Sequence, residues 1–309
     1  MALGLCCQYI EKVTKRTGTV EYKNLCEERT LQFGKFNRGE YSDTQIEGVW
    51  NNNTSNILKI IKRINSENIK VFRISSGLLP LYDLKSELLK QSKIVRENLE
   101  AIGSFVKDNN IRLTTHPDQF LVLSSNTPSI VDKSIMMFEH FSWIFDSMQL
   151  DATPFYAINV HGGTKGNSKI LIESIGKLGS NAKSRLTLEN DERSYNVKDL
   201  YEVFEQTGTP ILFDSHHHVF NTADLSIEQG LDLAKKTWTC KQLTHLSNTE
   251  PALQGGNFTE RRKHSDYIHY IPECQRIGNN DGLLDIEVEA KMKNLCIFKM
   301  VEDFDIKIS

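Results

Sequence analysis

The sequence predicts a single α/β barrel of the TIM type. Eight short apolar runs alternate with longer segments of helical periodicity, which implies right-handed crossovers and a parallel sheet. The 309 residues fit one such barrel, typically roughly 250 residues, with modest insertions. The main competing architecture, an open doubly wound sheet, usually carries GxGxxG after its first strand. Here that strand runs into "CCQYIEKVTK".

The strand candidates are 3–9, 71–75, 112–116, 155–161, 185–190, 210–215, 241–247 and 284–290. Most are apolar runs bounded by polar residues or glycine, as strands buried on both faces should be. Between them lie apolar stripes at helical spacing. One comprises Ile57, Leu58, Ile61 and Ile64, and a second Ile94, Val95, Leu99, Ile102 and Val106. A third comprises Ile130, Ile135, Phe138, Phe141, Phe145 and Met148. Thr127 before Pro128, Asn196, and Ser226 with Gln229 read as helix starts. The expected organisation is one domain over 1–309, with irregular loops inserted at about 10–53 and 247–263 on the catalytic end.

Composition narrows the class. The chain is 39% hydrophobic and 25% charged, ordinary for a globular protein. Its six cysteines form no CxxC pair, so buried thiols in a reducing compartment are expected rather than a disulfide framework. No signal peptide and no apolar stretch of about 18 residues stand out, so the expectation is an intracellular protein with no membrane span. A net charge of −3 argues against non-specific nucleic-acid binding as its main business. It leaves room for a nucleic-acid enzyme, because bound cations reverse the sign of an acidic site.

The strand ends carry the chemistry. In such barrels, functional residues come from the C-terminal ends of several strands. The third candidate strand ends at His116, the fourth at His161 and the fifth at Glu189. The sixth ends at Asp214 and runs into His216, His217 and His218. The seventh ends at His245 and the eighth at Glu289, with His264 in the loop between those two. A single histidine at a strand end is usually structural. Six successive ends bearing His, Asp or Glu would repel unless cations sat among them. Imidazole and carboxylate without thiolate suit Zn, Mn, Fe or Co. Two or three ions about 3.5–4 Å apart can clamp a phosphate and activate water, but a pair of ions can also isomerise a sugar.

At this point the motifs are similar to those of a known family. "FRISS" at 72–76, "THPDQF" around His116, "NVHGG" around His161, "LENDER" at 188–193 and "FDSHHH" around Asp214 occur in family order. "HLSN" from His245, "KHSDYI" around His264 and "VEAK" around Glu289 complete the series. Together they resemble the UV damage endonucleases over nearly the whole chain. The resemblance implies a TIM-type barrel holding a divalent metal cluster of two or three ions, manganese foremost, with zinc, magnesium or cobalt as alternatives. It also implies damaged double-stranded DNA as partner, nicked on the 5′ side of a lesion such as a pyrimidine dimer to leave a 3′-hydroxyl. The family's ligands fall on His116, His161, Glu189, Asp214, His217, His245, His264 and Glu289, and its lesion wedge on Gln119 and Phe120. Of the ligands, Glu189, Asp214, Glu289 and His116 are expected to be catalytic. His217 and His264 are expected to complete a third, looser metal site.

Arg193, the cluster Arg261, Arg262 and Lys263, and Lys291 are candidate phosphate contacts. Arg193 could instead pair with Asp191 or Glu192. Lys291 should share a side with Glu289 if the strand continues that far. Phe120 precedes an apolar run and could equally belong to the core. Three positions depart from the family. Leu243 stands where a lysine is common near the metals, with Lys241 two residues further back. Gly77 stands where some members carry histidine, and Leu5 where an aromatic is often seen. The expected enzyme is a monomeric phosphodiesterase. A sugar isomerase or epimerase, an apurinic-site endonuclease and a non-catalytic lesion-binding homologue remain the alternatives.

Overall fold

The computed structural model describes residues 2–304 and 306. Eight parallel strands close into a barrel: β1 (Ala2–Cys6), β4 (Val71–Ile74), β5 (Arg112–Thr115), β6 (Ile158–His161), β7 (Leu186–Glu189), β8 (Ile211–Asp214), β9 (Gln242–Leu246) and β10 (Leu284–Val288). Closure is direct. Gly4 of β1 pairs with Val71 on one side and with Glu287 of β10 on the other. A Cβ on Gly4 would lie 2.8 Å from a Val71 methyl, so glycine is required at this close approach. Among the described residues, no helix is long and apolar enough to cross a membrane.

The inserted segment 10–53 is more ordered than its polarity suggests. It holds an antiparallel hairpin, β2 (Ile10–Thr14) and β3 (Val20–Asn24), and the start of helix Asp43–Ser66. Ser42 and Gln45 form a capping box there. Only Ile46 and Trp50 mark a buried apolar face before the obvious stripe at Ile57, which is why the helix reads as starting later. β1 stops earlier than expected because Cys7 takes a left-handed backbone (φ 67°). The loop 247–263 carries only short turns at Pro251–Leu253 and Phe258–Arg261.

Asn196 and Ser226 cap their helices as expected, Ser226 in the expected capping box with Gln229 and Asn196 in a box with Asp199 as well. Pro128 opens its helix, but the Thr127 side chain makes no capping bond. Ile94 and Ile130, each at the start of an apolar stripe, are exposed while the remainder of each stripe packs inward.

Alternation along the strands sorts the barrel interior into levels. Towards the N-terminal ends, buried Arg112 donates to Asp285 at 3.1 Å and to the carbonyls of Phe155, Lys241 and Pro154. Val71, Ala157, Leu212 and Leu243 pack together as a small apolar layer. Each lies two residues before an interior polar residue nearer the rim: Arg73, Asn159, Asp214 and His245. The rim itself is almost wholly polar.

Candidate metal centre

Glu189, the last residue of β7, sits at the middle of the rim and is 1% exposed. Its Oε2 lies 3.1 Å from His116 Nε2 and accepts from the Asn159 amide. Its Oε1 lies 3.1 Å from His245 Nδ1 and 3.2 Å from His217 Nδ1. His116 Nδ1 is 2.9 Å from the Pro117 carbonyl. A carbonyl only accepts, so that nitrogen carries the proton and Nε2 can present a lone pair. His161 closes the group, with its ring 5.1 Å from His116 and 5.5 Å from His217.

Asp214, wholly buried, caps the helix Ser215–Phe220 by accepting from the His217 backbone N–H at 2.7 Å. Its other oxygen, Oδ2, has no hydrogen-bond partner, and neither has buried His161 Nδ1. Orphaned carboxylate oxygens in a dry centre are costly. Three overlapping groups of ligand atoms converge closely enough to hold a metal ion: His116, His161 and Glu189; Glu189, Asp214 and His217; Asp214, His245 and Glu289. The hard and borderline donors, all oxygen and imidazole nitrogen, together with the two orphaned atoms fit a divalent cation.

The electrostatics agree. Burial pushes the Glu189 carboxyl up, but the imidazoles of His245 and His161 and the close His116 and His217 rings outweigh it. They hold it well below the usual carboxylate range. Glu289 is likewise raised by burial and drawn well down by Arg73, His245 and His264. Burial disfavours the charge on His245, yet Glu189 and Glu289 hold its pKa well above the ordinary imidazole value. These carboxylates stay ionised only beside positive charge.

Seven of the eight expected ligands fall in those three groups. His264 stands outside them, with Nδ1 3.6 Å from Glu289 Oε2, while His217 joins Glu189 and Asp214 rather than His264. Gln119 and Phe120 project from the loop after β5, and Phe120 is 74% exposed rather than core. The Arg193 side chain forms no ion pair with Asp191 or Glu192; its backbone N–H donates to Asp191 Oδ1 at 2.8 Å, and Glu192 is bound by Arg262 instead. Lys263 is exposed. Lys291 does not continue the alternation from Glu289, because β10 ends at Val288. It pairs with Asp266 on the surface at 3.3 Å. Leu5 is buried outside the barrel, and Cys7 reaches the cleft instead. Lys241 turns away from the rim to Asp285, at 2.6 Å.

Sequence reasoning missed the residues beneath the candidate ligands. Glu287, wholly buried, lies 2.9 Å from His245 Nε2 and accepts from Thr114. Arg73 pairs with Glu289. The signal was available: Asp285, Glu287 and Glu289 alternate along an otherwise apolar strand, and Arg73 is a lone charge in "VFRI". With Nε2 facing Glu287 and Nδ1 facing Glu189, His245 is oriented as in a carboxylate–histidine–metal arrangement. Glu287→Gln is therefore expected to weaken divalent-metal affinity about 10- to 100-fold. Calorimetric titration with manganese checks this, and unchanged affinity would remove Glu287 from that role.

Fold and site together define a TIM-type barrel enzyme whose C-terminal rim carries histidine–carboxylate clusters able to hold metal ions. The sequence pattern of the family described as UV-endonuclease UvdE matches residues 9–308, and the chain belongs to that family. It is 33% identical to the UV DNA damage endonuclease of Nostoc sp. over 305 residues, 96% of this chain and 88% of that one. It is also 33% identical to the UV DNA damage endonuclease of Deinococcus radiodurans over 75% of each chain. The crystal structure of SacUVDE superposes with a TM-score of 0.78 at 26% identity, covering 99% of this chain and 100% of that one. A D-psicose 3-epimerase from Clostridium cellulolyticum shares the fold alone, with a TM-score of 0.52 at 12% identity over 76% of this chain and 79% of that one. Membership implies a nuclease acting on DNA in repair of UV damage.

Proposed function

We propose that this chain nicks duplex DNA on the 5′ side of UV photoproducts, leaving a 3′-hydroxyl, as an intracellular monomer using two or three divalent ions, manganese foremost. The observation that carries this reading is the shape of the cleft around the clusters. A hollow of about 530 Å³, lined by Cys7, Arg73, Ser76 and Glu289, opens on one side of the His116 and His161 pair. A second, of about 440 Å³, lined by Thr164, Glu192, Arg193 and Arg262, opens on the other. Both are bounded by Gln119, and Phe120 stands in solvent beside them. A large exposed apolar side chain next to metal ligands suits insertion between bases, where it recovers contact by stacking.

His116, His161, Glu189, Asp214, His217, His245 and Glu289 would hold the ions, with His264 at the margin. Bound divalent ions supply Lewis acidity, polarising a phosphoryl oxygen and lowering the pKa of water. The chain's own residues prepare that chemistry. Glu287 and Asn159 fix His245 and Glu189, the Arg73 guanidinium holds Glu289 ionised, and the Pro117 carbonyl sets the His116 tautomer. The Gln119–Phe120 projection holds the lesion open so that the scissile phosphate reaches the rim.

Incision of a defined dimer-containing duplex tests the reading. Nicking 5′ to the dimer is expected with manganese, and chelation should abolish it. Phe120→Ala should lose most of the preference for damaged over undamaged duplex while keeping its metal. Equal or better cutting at an abasic site would favour the apurinic-site alternative. Tight binding of damaged duplex without any nick would favour a non-catalytic homologue, and ketose interconversion without nicking a sugar isomerase.

A further inference from the structure

Four rim residues that the metal clusters do not use form an alternating stack of guanidinium groups and rings. Phe220 ends the helix Ser215–Phe220, and Phe258 begins the turn Phe258–Arg261. Their rings meet edge to face, 5.5 Å apart at 77°. The Arg193 guanidinium lies over Phe258 at 4.7 Å, and that of Arg261 over Phe220 at 5.2 Å. Arg262 also reaches Phe258, at 5.5 Å, but its charge is taken up by Glu192. Among the described residues, neither Arg193 nor Arg261 forms an ion pair with a carboxylate within 4.0 Å.

This arrangement suits an anion. A guanidinium lying on a ring is held by the ring's quadrupole, and its edge keeps its N–H donors free. Those donors match a phosphate bidentately. Because the rings already restrict the long side chains, less rotamer entropy is lost when the anion arrives. The stack also runs in a useful direction. Arg193 lines the groove that starts at His116 and His161. Arg261 lines a separate hollow of about 390 Å³ with His216 and Thr249, beyond Phe220. The His216 ring in that hollow lies 5.2 Å from Phe220 and 5.9 Å from His264.

We infer that Arg193, Phe258, Phe220 and Arg261 form a track that grips two neighbouring phosphates of one DNA strand just outside the metal centre. The occupant follows from continuity: a strand whose phosphodiester sits at the clusters must carry its next phosphates along the groove that leaves them. The inference rests on the reading of this protein as a DNA endonuclease. Phe220 and Phe258 act here as positioning residues, because they hold the arginines rather than the reacting phosphate.

The test uses undamaged duplex without metal, so that it does not depend on incision. For the double variant Arg193→Ala/Arg261→Ala, the slope of log affinity against log salt should become shallower by about 2, at about 0.9 per phosphate contact. Arg262→Ala, already neutralised by Glu192, should change it by less than about half a unit. Phe220→Leu with Phe258→Leu keeps the hydrocarbon but removes the ring faces. It should weaken binding about five-fold at low salt with metal content unchanged. Should the alanine pair lose stability, Arg193→Gln/Arg261→Gln gives the same slope reading. An unchanged slope in a folded double variant overturns the track. A shallower slope with no incision of dimer duplex upholds the track as a DNA contact and sinks the endonuclease reading. Incision with an unchanged slope sinks the track alone.

Discussion

Glu189→Gln is expected to reduce single-turnover incision at least ~10³-fold, equivalent to about 4 kcal/mol of lost transition-state stabilisation. Glutamine keeps the shape of the side chain and removes its charge. That charge is shared between two of the three ligand groups, His116–His161–Glu189 and Glu189–Asp214–His217, so both should weaken at once. The carboxylate also lies within 3.2 Å of three imidazoles. A neutral amide supplies no negative charge to them or to the ions they would hold. Elemental analysis of purified protein should show substoichiometric manganese, and circular dichroism an intact barrel. A variant that retains activity within about ten-fold of the parent would show that Glu189 is not at the centre of the chemistry.

The second large effect lies at the opposite end of the barrel and concerns stability alone. Arg112→Ala should destabilise the fold by about 3–5 kcal/mol, the range for breaking a buried ion pair by removing one partner. Arg112 is 1% exposed and satisfies Asp285 and three backbone carbonyls. Its loss leaves those acceptors dry and strips Asp285 of one of its two cations, the other being Lys241. The guanidinium also packs on the rings of Phe155 and Trp238, at 5.0 and 5.3 Å, so stacking is lost as well. Urea denaturation measures the change. Manganese affinity should stay within about two-fold of the parent, because the apolar layer of Val71, Ala157, Leu212 and Leu243 separates this network from the rim. A loss under about 1 kcal/mol would show that water replaces the guanidinium at little cost.

Much of the fold and most of the residues that meet in the three candidate ligand groups were legible in the sequence, for one geometric reason. A parallel barrel sends every strand the same way, so residues such as His116, His161, Glu189 and Asp214 share a rim even though they are far apart in the chain. The helix Asp43–Ser66 was harder to read, because its first three turns bury only Ile46, Trp50, Asn53 and Thr54. Phe120 shows a different limit. It adjoins Leu121 and Leu123, which are buried, and nothing local says that the loop turns its ring outward. Partnerships were least visible. The contact of Arg193 with Phe258 joins residues on separate loops, and only the folded rim brings them together. Glu287 lay hidden for the opposite reason: it stands inside β10 rather than at its end, where its register partner His245 reaches inward to meet it.

The pairing of β1 with β10 also dictates when the enzyme comes into being. Residues 2–5 must wait for residues 285–288 before the sheet can seal. A ribosome adding roughly 5–20 residues per second therefore releases many seconds' worth of chain before the ring can be completed. Glu289, held against β9 by its backbone N–H to the Leu246 carbonyl at 2.9 Å, is the last of the barrel's rim residues to be delivered. A chain synthesised only as far as β7 thus has several of the rim histidines but no closed ring, and the three candidate ligand groups are complete only once β10 and Glu289 have been made.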